Sequence, residues 1–160
     1  MKGAVIAVCI SEKKGTKKHP VPSVTLKEDH GIIGDAHAVD ADTRVSFRHR
    51  QISLLADESV DKMRAKGAVL QAGDFAENIL TKGIDLKSLP IGTRMIIGEA
   101  EIEVTQIGKE CHNDCEIKKL TGKCVMPTEG IFAVVVKGGE VKAGDEIKIS
   151  LPLVGKVSSD

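Results

Sequence analysis

Apolar residues along the chain occur mostly in short runs separated by glycine, proline and charged residues. The first run, residues 2–10, is rich in Val and Ile and is typical of a strand that is buried on both faces. Pro20 and Pro22 lie on either side of Val21, which favours a short edge strand that extends to Leu26. Similar runs predict further strands at 51–55, 75–80, 131–136 and 146–149.

One segment has the period of a helix. Between residues 56 and 66, Ala56, Val60 and Met63 recur at helical spacing, and Gly67 follows where the helix would stop. No other part of the chain shows this period as clearly. The pattern therefore predicts one clear helix directly after the strand at 51–55.

The most regular strand signal is a hairpin. Apolar and charged residues alternate along 100–107, and the run at 94–97 is separated from it by Gly98-Glu99. Glycine at the first position of a two-residue loop is typical of a type II′ turn. With seven or eight short strands and one helix, we predict a mainly β fold, a closed or nearly closed antiparallel β-barrel with one or two short helices. Residues 1–150 are predicted to form a single domain, with 151–160 as a frayed tail.

The composition excludes several classes of function. Among 160 residues, 23 Lys and Arg balance 23 Asp and Glu, so binding to a polyanion through overall charge is not expected. Three Phe with no Trp or Tyr leave almost no platform on which single-stranded nucleic acid could stack. No apolar run reaches the roughly 18 residues of a membrane-spanning helix. We therefore expect neither a nucleic-acid partner nor a membrane association.

The first ten residues are apolar after one lysine, but charged residues follow where a signal peptidase would need small ones. We therefore expect a strand there, a cytoplasmic location and reduced thiols. Cys9, inside this first strand, is expected to be a small buried apolar side chain.

The densest group of reactive residues is the run CHNDC at 111–115, with a third cysteine nine residues further on. It follows the strongest predicted strand, and loops after strands are where a rigid barrel presents reactive groups. A thiolate at Cys111 could ligate zinc or molybdenum, pass on sulfur as a persulfide, or form a redox-active disulfide. A metal site here would use Cys111, His112, Cys115 and Cys124, although the Cys-x3-Cys spacing is not the usual one for zinc.

A second group is basic and contains Arg44, Arg48, His49 and Arg50. Guanidinium groups bind phosphate and carboxylate oxygens through two parallel hydrogen bonds, so the group could hold an anionic small molecule. On a strand, Arg48 and Arg50 would share one face. The alternative is a solvated strand edge whose charges discourage aggregation.

Two loops carry further candidates. The long segment 28–44 has little periodicity and contains Asp35 and His37, and long loops in compact domains are often functional. In the second loop, after Gly73, Glu77 and Asn78 could orient a ligand or tie the loop down through backbone hydrogen bonds. The lysines around Gly15 are expected to form a solvated turn; they are Lys13, Lys14, Lys17 and Lys18.

Four ordered stretches resemble one known family. They read GIIGDAH at 31–37, RQISLLADES at 50–59, GDFAENILTKGIDLKSLPIG at 73–92 and IGEAEIEVTQIGKEC at 97–111. Together they resemble the MOSC domain, the module named after the C-terminal part of molybdenum cofactor sulfurase, over about residues 4–150. The resemblance implies a β-barrel whose signature cysteine is Cys111, which would carry sulfur or bind the molybdenum of a pterin cofactor. Glu110 precedes this cysteine, where many members have proline.

The resemblance and the residue chemistry together predict a protein that binds the molybdenum cofactor (molybdopterin) or transfers sulfur. Arg44, Arg48 and Arg50 would hold the anionic end of the cofactor while Cys111 meets the metal or its sulfur. The supporting contacts would come from Asp35, His37, Glu77 and Asn78.

The expected partners are a cysteine desulfurase or other proteins that make or accept the molybdenum cofactor. The family is linked to pyridoxal phosphate through that desulfurase, and we expect none on this chain itself. The alternative is a small zinc-binding or thiol-redox switch domain, without catalysis, that uses Cys111, Cys115 and Cys124.

Overall fold

The computed structural model describes residues 2–14, 16–108 and 129–151. Within these ranges the chain forms eleven strands, one α-helix and two short 3-10 turns. The strands are β1 (Lys2–Ile10), β2 (His19–Val21), β3 (Ser23–Lys27), β4 (Gly31–Ile32), β5 (Ile52–Ala56), β6 (Ile79–Lys82), β7 (Arg94–Ile97), β8 (Ala100–Ile107), β9 (Ile131–Lys137), β10 (Gly139–Lys142) and β11 (Glu146–Leu151). The helix is α1 (Asp57–Arg64), and the 3-10 turns are Val45–Phe47 and Leu86–Ser88.

Seven of these strands form a closed barrel. They are hydrogen-bonded in the order β11-β7-β8-β9-β5-β6-β1, and pairing of β1 with β11 closes the ring. Strand β2 pairs with the C-terminal part of β1, and β10, β3 and β4 form a separate three-stranded sheet. Closure satisfies the backbone groups that an open sheet would leave at its edges. The predicted mainly β barrel is confirmed.

The prediction of a purely antiparallel barrel was wrong at one pair of strands. Strands β5 and β6 run parallel, with Leu54 opposite Ile79 and Ala56 opposite Thr81. Parallel neighbours need a long crossover connection. Here α1 and the loop after it carry the chain back along the outside of the barrel, so β6 starts at the same end as β5. The sheet is therefore mixed.

Apolar side chains fill two layers. Along β8, Ala100, Ile102 and Val104 are buried in the barrel interior, alternating with half-buried polar residues as the sequence predicts. A second cluster lies outside the barrel wall, under α1. It consists of Leu55, Val60, Met63, Phe75, Leu80 and Phe132. Strand β5 is buried along its whole length because these two layers cover both of its faces.

The hairpin and the helix were predicted closely. Strands β7 and β8 have the predicted bounds, and Gly98 at their turn has φ +56°, which a type II′ turn requires of its first loop residue. Helix α1 begins and ends inside the predicted range. The strand predicted at 75–80 begins only at Ile79, because the preceding residues form a loop. Residues 152–160, most of the predicted tail, lie outside the described residues.

Candidate functional site

The loop that contains Asp35 and His37 is held by one buried lysine. The Lys18 ammonium group donates to Asp35 Oδ1 at 2.7 Å and to Ser11 Oγ at 3.1 Å, and it lies 3.0 Å from His37 Nδ1. The side chains of Lys18 and Asp35 are both 0% exposed. Lys18 therefore does not belong to the solvated turn that the lysine-rich sequence predicted.

Asp35 is the acceptor around which this cluster forms. Its Oδ1 also accepts the Ser11 backbone N–H at 3.1 Å, and its Oδ2 accepts that of His37 at 3.0 Å. Burial alone would raise the pKa of the Asp35 carboxyl, but the Lys18 ammonium and these N–H donors hold that pKa below its usual value. The carboxylate is therefore ionised and ties the end of β1 to the loop.

Glu77 and Asn78 are directed to the protein backbone. The two carboxylate oxygens of Glu77 accept the N–H groups of Gly73 at 2.7 Å and Phe75 at 3.2 Å. The Asn78 side chain accepts the Ser53 N–H and donates to the Cys9 carbonyl. Both residues are buried, at 1% and 0% exposure, so the structure favours loop anchoring over contact with a ligand.

Burial of Glu77 predicts a dependence of stability on pH. Burial raises the pKa of Glu77 to about 7 against the lowering effect of the backbone N–H groups of Gly73, Glu77 and Phe75, and the nearby Asp74 carboxylate raises it further. Because the folded pKa lies above the unfolded value of 4.5, folding favours the protonated form. Its contribution is complete below pH 4.5 and is lost as the pH rises through 7. We expect about 3 kcal/mol of unfolding free energy to be lost across this window.

Urea unfolding at pH 5, 6, 7 and 8 measures this loss. The matched control is Glu77→Gln, which cannot ionise and is expected to show a much flatter profile, whatever its absolute stability. An identical slope in the wild type and in this variant would contradict the assignment to Glu77.

Cys9 lies in β1 beside this anchored loop. It is fully buried, and burial, with the Glu77 carboxylate nearby, raises the pKa of its thiol to about 12. The thiol therefore stays protonated, and the prediction that Cys9 is a buried apolar side chain is confirmed.

The three arginines of the basic group are not on one strand face, because residues 45–47 form a 3-10 turn instead of an edge strand. Arg48 donates to the carbonyls of Ala41 and Thr43 and is exposed. Arg44, also exposed, stands at the start of the turn. The structure thus separates Arg44 and Arg48 from Arg50, whose side chain contacts Gln106 and two phenylalanine rings.

Arg50 lies across the outer face of the barrel. Its guanidinium carbon is 5.1 Å from the centre of the Phe47 ring and 5.3 Å from that of Phe132, two of the three phenylalanines in the chain. Both distances are within the range of cation–π attraction. Its Nε donates to Gln106 Oε1 at 3.0 Å, so one N–H is committed to the protein while the rings hold the guanidinium plane.

Gln106 connects this cation to the start of the cysteine segment, the stretch of sequence 109–128 that contains Cys111, Cys115 and Cys124. Its Oε1 lies 2.6 Å from His49 Nε2 as well as accepting from Arg50, and its Nε2 donates to the Gly108 carbonyl at 2.7 Å. Gly108 in turn donates its N–H to the Gly130 carbonyl at 2.6 Å. Arg50 and His49 are therefore fixed at the point where the chain leaves β8, three residues before Cys111.

The predicted ligands Cys111, His112, Cys115 and Cys124 lie outside the described residues. In the part of the chain that the structure describes, no group of three or more His, Cys, Asp or Glu side chains could hold a metal ion. None of the described helices is long and apolar enough to cross a membrane.

The chain re-enters the described structure at Glu129. Its carboxylate accepts from Ser59 Oγ at 2.6 Å and from Lys62 Nζ at 2.9 Å, and therefore fastens this point to α1. The three residues border an open cavity of about 310 Å³ that also reaches Asp85 and Lys87. These two side chains are already paired with each other, as Lys62 is with Glu129.

The sequence pattern of the MOSC domain matches residues 34–148, which is most of the chain and most of the barrel. The chain belongs to the MOSC domain family. A comparison with curated proteins finds no match. MOSC domains are associated with the molybdenum cofactor and with proteins like molybdenum cofactor sulfurase.

Solved structures share this MOSC fold at low sequence identity. The YuaD protein of Bacillus subtilis is 22% identical with a TM-score of 0.74, over 92% of this chain and 94% of that one. YiiM of Geobacillus stearothermophilus is 18% identical with a TM-score of 0.69, over 98% of this chain and 79% of that one. YiiM of Escherichia coli is 17% identical with a TM-score of 0.64, over 100% of this chain and 80% of that one.

Sequence reasoning missed two residues that shape the candidate site, Lys18 and Gln106. Lys18 was grouped with exposed lysines because it ends a lysine-rich run, and its burial depends on Asp35, seventeen residues away. Gln106 follows the alternating part of β8. The register of β8 against β9 shifts between Val104 and Gln106, and this irregularity breaks the alternation that would have marked its face.

Proposed function

We propose that this MOSC domain handles sulfur, or the molybdenum cofactor that carries it, through the thiol of Cys111, with Arg50 as the supporting cation. The observation that carries the proposal is the chain of contacts from Arg50 and His49 through Gln106 to Gly108. Cys111 follows Gly108 by three residues in the sequence, and three residues of extended chain span at most about 11 Å, so the proposal requires no longer reach than the chain allows.

The electrostatics of this cluster suit a reactive thiol. A cysteine becomes nucleophilic as the thiolate, and neighbouring positive charge favours that form. Guanidinium groups are fixed positive charges in proteins. The guanidinium group of Arg50 is held by the hydrogen bond to Gln106 and by the rings of Phe47 and Phe132. A fixed cation at the start of the cysteine segment would favour the thiolate form of Cys111.

The donor set also fits the cofactor that the family implies. Molybdopterin combines a phosphate with a soft metal–sulfur centre, and when bound it would supply that centre. Thiolate ligands suit soft metals, and guanidinium groups suit phosphate oxygens. Cys111 would meet the sulfur-rich end, and Arg50 would meet the phosphate, whereas Arg44 and Arg48 lie apart from Arg50 in the preceding loop. Glu77 and Asn78 would support these contacts only by anchoring their loop.

Sulfur transfer to Cys111 from a persulfide needs no added oxidant or reductant. The thiolate of Cys111 attacks the terminal sulfur of a persulfide on a donor protein, of the cysteine desulfurase class. A new S–S bond forms at Cys111 while the S–S bond of the donor breaks, and the donor cysteine leaves as a thiolate. Pyridoxal phosphate would act on the donor. Proteins that make or accept the molybdenum cofactor would then receive the sulfur from Cys111.

Intact-protein mass spectrometry tests the proposal. After incubation with a cysteine desulfurase and cysteine, the wild-type chain is expected to gain an adduct of about 32 Da, the mass of one sulfur. Arg50→Gln is expected to slow adduct formation by about tenfold, since loss of a nearby cation reduces the thiolate fraction. The matched control is Arg48→Gln, because Arg48 belongs to the same group but, among the described residues, donates its hydrogen bonds to the carbonyls of Ala41 and Thr43 in its own loop.

Three outcomes would count against the proposal. An absence of any adduct on the wild type would reject sulfur transfer, and binding of molybdopterin to the same protein would then have to be measured directly. Stoichiometric zinc, with loss of stability on chelation, would instead support the zinc-binding alternative. Equal rates for Arg50→Gln and Arg48→Gln would remove Arg50 from the site.

A further inference from the structure

Residues 44–48 form an exposed turn beside the candidate site. All five are exposed, and none of the residues in the 3-10 turn Val45–Phe47 is buried. Val45 is 79% exposed and Phe47 is 42% exposed. A single exposed apolar side chain is ordinary, but two in one short turn next to an arginine have the composition of a protein interface, in which aromatic residues and arginine are enriched. We call Arg44, Val45 and Phe47 the turn patch.

The backbone of the turn patch is held by hydrogen bonds within its own loop. The Phe47 N–H donates to the Arg44 carbonyl at 2.9 Å, and the Arg48 side chain donates to the carbonyls of Ala41 and Thr43, each at 3.0 Å. Arg48 is therefore used to hold the loop and is left out of the patch. Because the turn is already ordered, little conformational entropy of its backbone would be lost when a partner binds, which favours association.

The charge around the turn patch is positive. Residues 43–56 contain three arginines and no Asp or Glu, in a chain whose net charge is zero. Asp40 and Asp42 precede the turn, and Asp40 Oδ1 accepts the Asp42 N–H at 2.8 Å within that loop. Among the described residues, the exposed guanidinium group of Arg44 forms no ion pair. A partner surface that presents carboxylates around an apolar contact would complement this patch.

The turn patch is connected to the site at which a sulfur donor would act. The Phe47 ring lies 5.1 Å from the guanidinium carbon of Arg50, and Arg50 is linked through Gln106 to Gly108. Sulfur capture at Cys111, three residues later in the sequence, would bring the donor to this part of the surface. We infer that the turn patch is the docking surface for the sulfur donor, a protein that presents carboxylates around an apolar contact. The identity of this partner rests on the proposed function, whereas the chemistry of its surface is new.

Calorimetric titration of the chain with a cysteine desulfurase from the same organism, in the absence of cysteine, tests docking separately from chemistry. The wild type is expected to bind. Val45→Glu is expected to weaken binding by about tenfold, because it removes an apolar contact and places a carboxylate against those of the partner. The matched control is Val69→Glu, at a loop valine that is 90% exposed, and it is expected to bind as the wild type does. Both substitutions replace exposed side chains, so both variants are expected to fold.

Arg44→Glu tests the charge of the partner surface. This variant is expected to weaken binding by about tenfold, since it turns attraction to the carboxylates of the partner into repulsion. The affinity of the wild type is expected to fall as salt is added, because salt screens the same attraction. Tighter binding of Arg44→Glu would show that the partner surface is basic and would overturn the inference.

Three other results would also overturn the inference. They are an absence of binding by the wild type, equal affinities of Val45→Glu and Val69→Glu, and self-association of the wild type that Val45→Glu abolishes in sedimentation while the desulfurase affinity stays unchanged. The last result would assign the patch to a second copy of the chain.

A small persulfide separates this inference from the proposed function. Glutathione persulfide needs no docking surface and is expected to label the wild type and Val45→Glu at the same rate, by the same attack of the Cys111 thiolate. A slower rate in Val45→Glu would place Val45 in the chemistry and not in docking. An absence of adduct on the wild type would reject sulfur capture at Cys111, while the calorimetric result would still decide whether the desulfurase binds the turn patch.

Discussion

Changing Cys111 to serine is expected to abolish the sulfur adduct on this MOSC domain while leaving the barrel folded. A serine hydroxyl stays protonated at neutral pH and cannot form an S–S bond with the incoming sulfur. Intact mass after incubation with the desulfurase should therefore show no species heavier by about 32 Da. The unfolding free energy is expected to change by no more than about 0.5 kcal/mol if the side chain acts in chemistry and not in packing.

The other cysteines supply matched controls for this result. Cys115→Ser and Cys124→Ser, made singly, are expected to keep the adduct because the proposal assigns the acceptor role to Cys111 alone. Cys9 is already excluded, since its thiol is fully buried. Retention of the adduct in Cys111→Ser, with its loss in Cys115→Ser or Cys124→Ser, would move the acceptor to another residue. Loss of adduct in all three would indicate that the cysteines act as a group.

Changing Gly73 to alanine is expected to destabilise the protein by about 4 kcal/mol or more, a loss at the extreme of single substitutions. A Cβ atom at Gly73 would lie 2.1 Å from the carbonyl oxygen of Lys18 and 2.7 Å from its carbonyl carbon. The backbone at Gly73 cannot move away from Lys18 without breaking hydrogen bonds. Gly73 donates its N–H to Glu77 at 2.7 Å, and its carbonyl accepts the Lys18 N–H at 2.9 Å.

Gly144→Ala separates the steric clash from backbone strain. Gly144 has φ +94°, close to the +90° of Gly73, but a Cβ there would meet nothing within 4 Å. Its replacement carries only the left-handed backbone cost of about 1–2 kcal/mol. Denaturant unfolding of both variants measures the difference. Equal losses would show that the contact between Gly73 and Lys18 relaxes freely and that the loop is not clamped as described.

The barrel could be predicted from sequence because its strands are defined by local signals. In β8, Ile102 and Val104 alternate with charged residues, and Gly98 marks the turn before it. The parallel pairing of β5 with β6 could not be predicted in this way. In the sequence, both strands are simply short apolar runs. Their relative direction depends on the end of the barrel to which α1 and the loop after it return the chain.

The candidate site was less predictable because its contacts join distant parts of the chain. Arg50 was recognised as a cation, but nothing local indicates that it would meet Gln106, fifty-six residues away, or lie beside Phe132. Nothing local distinguishes Lys18 from the exposed lysines beside it, because its burial depends on the contact with Asp35. A period identifies the buried face of a strand, whereas a long-range polar pair leaves no periodic signal.

The hydrogen bond from Gly108 to Gly130 joins the chain on the two sides of the cysteine segment, just beyond the last paired residues of β8 and β9, Ile107 and Ile131. The entropy of closing a loop grows only slowly with its length, by about 0.6 kcal/mol per doubling, so the free energy of closing the chain between these glycines depends little on how many residues separate them. Insertions between positions 108 and 130 are therefore expected to add little to that closure cost. An inserted segment would start beside the same guanidinium group of Arg50.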